Sequence, residues 1–160
     1  AFNRLVVAYD FGDVKVFERR LDEGNFTRRK EMFLRFDRGE EVLELLRGFC
    51  AEKNFRSGYF SAIGAVGKVI LMHYDPDTKK FSEKTFEQKL EIVNLTGNLS
   101  WHEEKPYLHA HGVFSDEEMK CWGGHTKELT VAATCEMFLI HTDGEVKREF
   151  SPEIGLNLLQ

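Results

Sequence analysis

Apolar and polar positions alternate over Val14–Arg20 ("VKVFERR") and again over Lys30–Phe36 ("KEMFLRF"), the period-two pattern of half-buried strands. The period then changes. From Glu40 onward Val42, Leu45, Leu46, Phe49 and Cys50 recur at helical spacing. A helix is therefore predicted over about 40–53, with Asp37 or Gly39 to start it and Glu40 in its first turn. It is the principal helix of the chain. After it come strand-like runs: "SGYFSAIGAV", "KVILMHYD", "KLEIVNLTGNLS", "YLHAHGVF", "KCWGGHT", "LTVAATCEMFLIHT" and "EVKREF". Turn chemistry such as Asp75-Pro76-Asp77, Ser115-Asp116 and Asp143-Gly144 separates them. Links this short join strands as hairpins, so the pattern predicts an α+β fold with a mainly antiparallel sheet. No repeat or linker divides the 160 residues, which form a single domain large enough to bury a core unaided.

Charge narrows the partners. The net charge is −5, and the acidic excess lies after residue 40. Proteins that grip DNA by its phosphates normally carry a basic excess instead, because counterion release supplies most of the non-specific affinity. Arg19-Arg20 and Arg28-Arg29-Lys30 are local basic clusters, readable as a phosphate-facing patch or as solvated strand ends. Cys50, Cys121 and Cys135 cannot all pair within the chain and form no Cys-x-x-Cys, which fits a reducing compartment. The first twenty residues hold no apolar run of signal-peptide length, and nothing elsewhere approaches the roughly 18 apolar residues of a membrane span. A soluble, cytoplasmic protein is expected. The sequons at Asn25, Asn94 and Asn98 have no meaning there.

Six histidines are present, and three fall in one short stretch, "HAHGVFSDEEMKCWGGH". On a strand, residues two apart share a face about 7 Å apart, so Tyr107, His109 and His111 lie together. "SDEEMK" is turn-like, and the strands beside it form a hairpin. A three-residue loop sets His125 opposite His109; a five-residue loop changes the offset but keeps the parity, and either way three imidazoles converge. Gly123-Gly124 either admits a close backbone approach or merely breaks the strand. Neutral imidazole suits zinc and other borderline divalent metals, and three protein ligands leave one coordination position open. Alternatively, His-x-His is simply two polar residues on a half-exposed strand. Cys121 is either a fourth ligand or, more simply, a buried inert thiol. His73, His102 and His141 read as surface or strand-end residues. Glu136, after an apolar run, is either a hydrogen-bond partner to a metal ligand or a general base, or else a solvent-facing carboxylate.

The order "GEEVLELLRGF", "SGYFSAIGAVGKVIL", "LEIVNLTGNLS", "PYLHAHGVFSD", "GGH", "TVAATCEM" resembles the plants-and-prokaryotes-conserved (PPC) domain family, in its stand-alone prokaryotic type. The resemblance covers roughly Val14 to Phe150. In plants this domain lies downstream of AT-hook DNA-binding motifs. The resemblance implies an α+β fold similar to that of acetolactate decarboxylase and of a zinc-dependent ester hydrolase. It also implies a homotrimer, a metal site at His109, His111 and His125, and a DNA-binding role. The sequence departs from the family in having no Arg-Gly-Arg-Pro core, which weakens the DNA inference, and in reading "TKEL" after "GGH". Two functions are thus expected to compete. One is a metal-binding regulatory module with DNA or protein partners. The other is a zinc-dependent hydrolase or lyase acting on a small carbonyl or ester substrate, with Glu136 moving the proton.

Overall fold

The structure is a computed structural model that describes residues 6–19 and 30–160. In chain order it contains β1 (Val6–Phe11), β2 (Val14–Arg19), β3 (Lys30–Asp37), α1 (Val42–Glu52), β4 (Gly58–Asp75), β5 (Lys80–Phe86), β6 (Leu90–His102), β7 (Lys105–Ser115), β8 (Cys121–His141), β9 (Arg148–Ser151) and β10 (Leu156–Leu159). The expected α+β class and antiparallel sheet are present. Eight strands order as β1-β2-β3-β8-β7-β6-β4-β5, and β9 with β10 forms a separate two-stranded ribbon. Because β4 also pairs with β8, the ladders β4–β6–β7–β8 close into a ring. The Arg28-Arg29 cluster lies outside the described residues.

Two long strands replace pairs of predicted short ones. "SGYFSAIGAV" and "KVILMHYD" fuse into the 18 residues of β4, and "KCWGGHT" and "LTVAATCEMFLIHT" fuse into the 21 of β8. Bulges explain the misreading. The β4–β8 register shifts between Gly64 and Val66, between Val66 and Lys68, and between Ile70 and Leu71, which breaks alternation without breaking the strand. At the first shift Gly64 has φ +147, and a Cβ there would meet the Thr134 carbonyl oxygen at 2.2 Å, so only glycine serves. Strands β1, β5 and β10 were not predicted. β5 is almost wholly exposed and therefore carries no apolar alternation.

Helix α1 buries Val42, Leu43, Leu46, Phe49 and Cys50, spaced to make one apolar stripe. The stripe joins Leu34, Phe36, Phe114, Leu129 and Met137 in a single core cluster. Complete burial of side chains such as Leu46 and Phe49 contributes about 1.5–3 kcal/mol each. The cap is Glu41, not Asp37 or Gly39 as the sequence suggested. Asp37 is the last residue of β3, with its carboxylate engaged by Lys15 and Arg35, and Gly39 is spent on a turn at φ +92. The Glu41 carboxylate accepts from the Leu43 and Glu44 amides and also from Leu129 N at 2.9 Å, which ties the helix start to β8.

Candidate metal centre and ligand cleft

The turn after β7 spans residues 116–120, so Ser115 pairs with Cys121 and His111 with His125. This is the five-residue case. Parity holds, and His125 sits across from His111 rather than from His109. On the other side of β7, His111 pairs with Thr96 and His109 with Asn98 of β6. Two close approaches fix these backbones. A Cβ on Gly124 would lie 2.9 Å from the Met72 carbonyl oxygen, so the glycine pair admits β4 against β8 and does not break the strand. A Cβ on Gly97 would lie 2.4 Å from the Phe60 ring and 2.5 Å from the His109 carbonyl oxygen.

The three imidazoles form a triangle. Ring centroids stand 5.1, 5.1 and 5.4 Å apart, and Nε2 of His109 lies 3.2 Å from Nε2 of His111. One nitrogen from each ring falls within 4.8 Å of the others. Tetrahedral coordination at about 2.0–2.1 Å sets ligand nitrogens roughly 3.3 Å apart, so the donor set fits a small divalent transition metal after slight turning of the rings. Facing nitrogen lone pairs repel unless a proton or a cation lies between them, and a cation satisfies all three at once. Burial holds His109 below its ordinary range, with the nearby Arg148 and His111 charges adding to the effect. His125 is pushed down to about 4, again first by burial and then by His109 and His111. Neutral imidazoles are what a metal requires.

His109 and His111 line two hollows, and His125 lines the larger of them. The larger, about 720 Å³, is walled by Met72, Phe81, Tyr107, Phe150, Leu156 and Arg148, among others. The smaller, about 240 Å³, is lined by Tyr59, Thr96, Gly97 and Asn98 with His109 and His111. Missed by sequence reasoning, Arg148 is only 7% exposed. It donates to Ser100 Oγ at 2.8 Å, Asn157 O at 2.7 Å and Asn98 Oδ1 at 2.9 Å. Its Cζ stands 4.8 Å from the Tyr107 ring. Nothing in "EVKREF" marks Arg148 as different from Lys147 beside it, since its burial comes from β6 and β10.

The chain does not bring Glu136 to the histidines. It is exposed, pairs in register with Arg35 and Ile63, and follows His125 by roughly 35 Å of extended strand. Cys121 is exposed rather than buried. It stands four residues before His125, about 13 Å along the strand, too far to share an ion. His102 and His141 donate from Nδ1 to the Arg148 and Ser57 carbonyls at 3.0 and 2.9 Å, as strand-end residues do. His73 instead lines the larger hollow from within β4.

The sequence profile of the Plants and Prokaryotes Conserved (PCC) domain matches residues 24–143. The chain belongs to this family. A candidate DNA-binding protein of Bacteroides thetaiotaomicron shares 26% identity with this PCC chain, covering 97% of it and 96% of its own length, at a TM-score of 0.80. A metal-containing protein of Archaeoglobus fulgidus is 32% identical over 81% of the PCC chain and 92% of its own, at TM-score 0.77. Acetolactate decarboxylase of Bacillus subtilis subspecies spizizenii is 17% identical, covers 71% and 53%, and has a TM-score of 0.50, which shows a shared fold alone. No curated protein matches the PCC chain. Among the described residues, no helix is long and apolar enough to cross a membrane.

The depressed His125 makes a prediction about the metal-free protein. Between about pH 6.5, where an unfolded histidine titrates, and about pH 4, the unfolded chain binds the extra proton and the folded one does not. Stability therefore falls as pH drops through that window. In chelator-treated protein the urea midpoint should decline from pH 6.5 to 5 more steeply in the wild type than in His125→Gln. Parallel declines would show that His125 is not the group responsible.

Proposed function

We propose that this PCC-domain protein holds a divalent transition metal, zinc by ligand preference, on His109, His111 and His125, and that the metal presents an open position to the larger cleft. The observation that carries the reading is the convergence of three imidazoles at the wall of a cavity large enough for a small molecule. The metal-containing Archaeoglobus relative supports it. Bound there, zinc would polarise a ligand oxygen or lower the pKa of a bound water. The chain's own residues supply the rest. Tyr107, Phe81 and Phe150 give the cleft an aromatic wall, and Arg148 places a fixed positive charge beside His109.

A binding or regulatory module is the reading we favour over an enzyme, because among the described residues no carboxylate lines either hollow beside the three histidines. The hydrolase or lyase reading remains attached to the same site. It would need a proton-moving group that Glu136 does not provide from its place on β8. Homotrimer formation belongs to the same proposal. Exposed Ile63, Val93 and Val113, clustered at the bulges of β4 and β6, form an apolar surface suited to a second copy. Three free cysteines, two of them buried with thiols pushed up to about 12, suit a cytoplasmic setting.

Elemental analysis and sedimentation of untagged protein test this directly. Near-stoichiometric zinc or another transition metal is expected in the wild type and is expected to be lost in His109→Ala/His111→Ala, with both proteins sedimenting at three chain masses. Equal metal in the two, or none in either, removes the site; a monomer removes the trimer.

DNA contact, suggested by the Bacteroides relative, is a separate proposal that the acidic balance opposes. It predicts anisotropy-detected duplex binding that weakens steeply between about 50 and 200 mM salt and weakens further in Arg28→Ala/Arg29→Ala. No binding at the lower salt would dispose of it.

A further inference from the structure

Arg148 is a buried cation held by neutral groups. A guanidinium has five N–H donors. Three of the Arg148 donors go to a serine hydroxyl, an asparagine side-chain carbonyl and a backbone carbonyl. Among the described residues no carboxylate pairs with it; the ion pairs of this chain lie elsewhere. Burying a charge without a counter-charge is costly, yet the surroundings orient the fork with neutral acceptors only. One donor on each terminal nitrogen remains, and the side chain forms part of the cleft wall.

Its position is informative. Asn98, which accepts from Arg148, is the β6 residue paired with His109, so the guanidinium and the imidazole triangle stand at one level of the sheet. Beside His73, Tyr74, Tyr107 and Asn157, the rest of the wall is largely apolar: Met72, Phe81, Phe150, Leu156 and Leu158. Arg148, Phe150, Leu156 and Leu158 all come from the β9–β10 ribbon, beyond the residues 24–143 that the family profile matches. The ribbon is fastened over the cleft by Tyr74 donating to the Ile154 carbonyl and by Lys79 Nζ donating to Pro152 O at 2.8 Å, and its own ladder is extended by Gln160 N donating to Lys147 O at 3.0 Å. The segment that supplies the metal ligands and the segment that supplies the cation are thus distinct.

We propose that Arg148 is the anion-recognition residue of the cleft and that the ligand class is a small monocarboxylic acid with an apolar body. Its carboxylate takes the two remaining guanidinium donors, and its hydrocarbon part lies against Phe81, Phe150 and Leu156. A single guanidinium amid apolar walls suits one negative charge better than the two of a phosphate. This deepens the ligand-site reading above but does not need the metal, because the carboxylate is held by Arg148 itself.

The test follows the Arg148 Nε–H resonance by nitrogen-15 NMR while butyrate, butyramide or inorganic phosphate is added, in metal-loaded wild type and in His109→Ala/His111→Ala. Butyrate should shift the resonance saturably, and butyramide, its neutral isostere, should bind about tenfold more weakly or worse. Arg148→Gln should lose butyrate binding to the same degree, and the wild-type comparison with butyramide stands even where that variant fails to fold. A butyrate response retained in the histidine variant supports the anion site whether or not the metal reading survives. Equal binding of butyramide, an unmoved Arg148 resonance at saturating butyrate, or tighter binding of phosphate would each overturn the proposal.

Discussion

Everything in this molecule hangs on β8 pairing with three strands. Over its 21 residues it lies beside β3 from Thr134 to His141, beside β7 from Cys121 to His125, and beside β4 along much of its length. A flat, unbroken strand has only two edges. β8 reaches a third partner because its neighbours change along its length and because bulges re-aim the β4 ladder three times. The ring of β4, β6, β7 and β8 that results leaves these central strands little free edge. It also presses Gly97 and Gly124 against neighbouring backbone and side chains, and so fixes where His109 and His125 stand.

Those placements decide the chemistry. Burial and the neighbouring charges push His109 and His125 toward the neutral form, and one nitrogen from each of the three rings lies within 4.8 Å of the others. In the wall of the same cleft the fold buries a guanidinium that donates to neutral partners. One end of the cleft thus offers donors to a cation and the other offers donors to an anion. The structural frame for this is shared with the family, whereas the ribbon bearing Arg148 lies past the family-matched residues.

Much of the site was legible in the sequence because strand parity is a two-valued question. His109, His111 and His125 share a face for any odd-length turn, so the exact loop, five residues and not three, altered only which pair is opposed. The helix was legible for a similar reason: its apolar stripe has one period and no competitor. What could not be read was whatever depended on bulges or on distant partners. Gly67 and the register shift between Val66 and Lys68 interrupt the pattern, so β4 looked like two strands. Glu41 displaced Asp37 as the cap because Asp37 was already engaged by Lys15 and Arg35. Arg148 gave no signal, since what buries it comes from β6, some fifty residues earlier, and from β10. Glu136 looked unusual only because an exposed position interrupts a buried run on a half-buried strand.

The most direct test of the account is X-ray absorption at the zinc edge on untagged protein as purified. The account predicts three imidazole nitrogens at about 2.0–2.1 Å, one further light-atom ligand and no sulfur. A sulfur shell near ~2.3 Å, or fewer than three imidazoles around the metal, would contradict it.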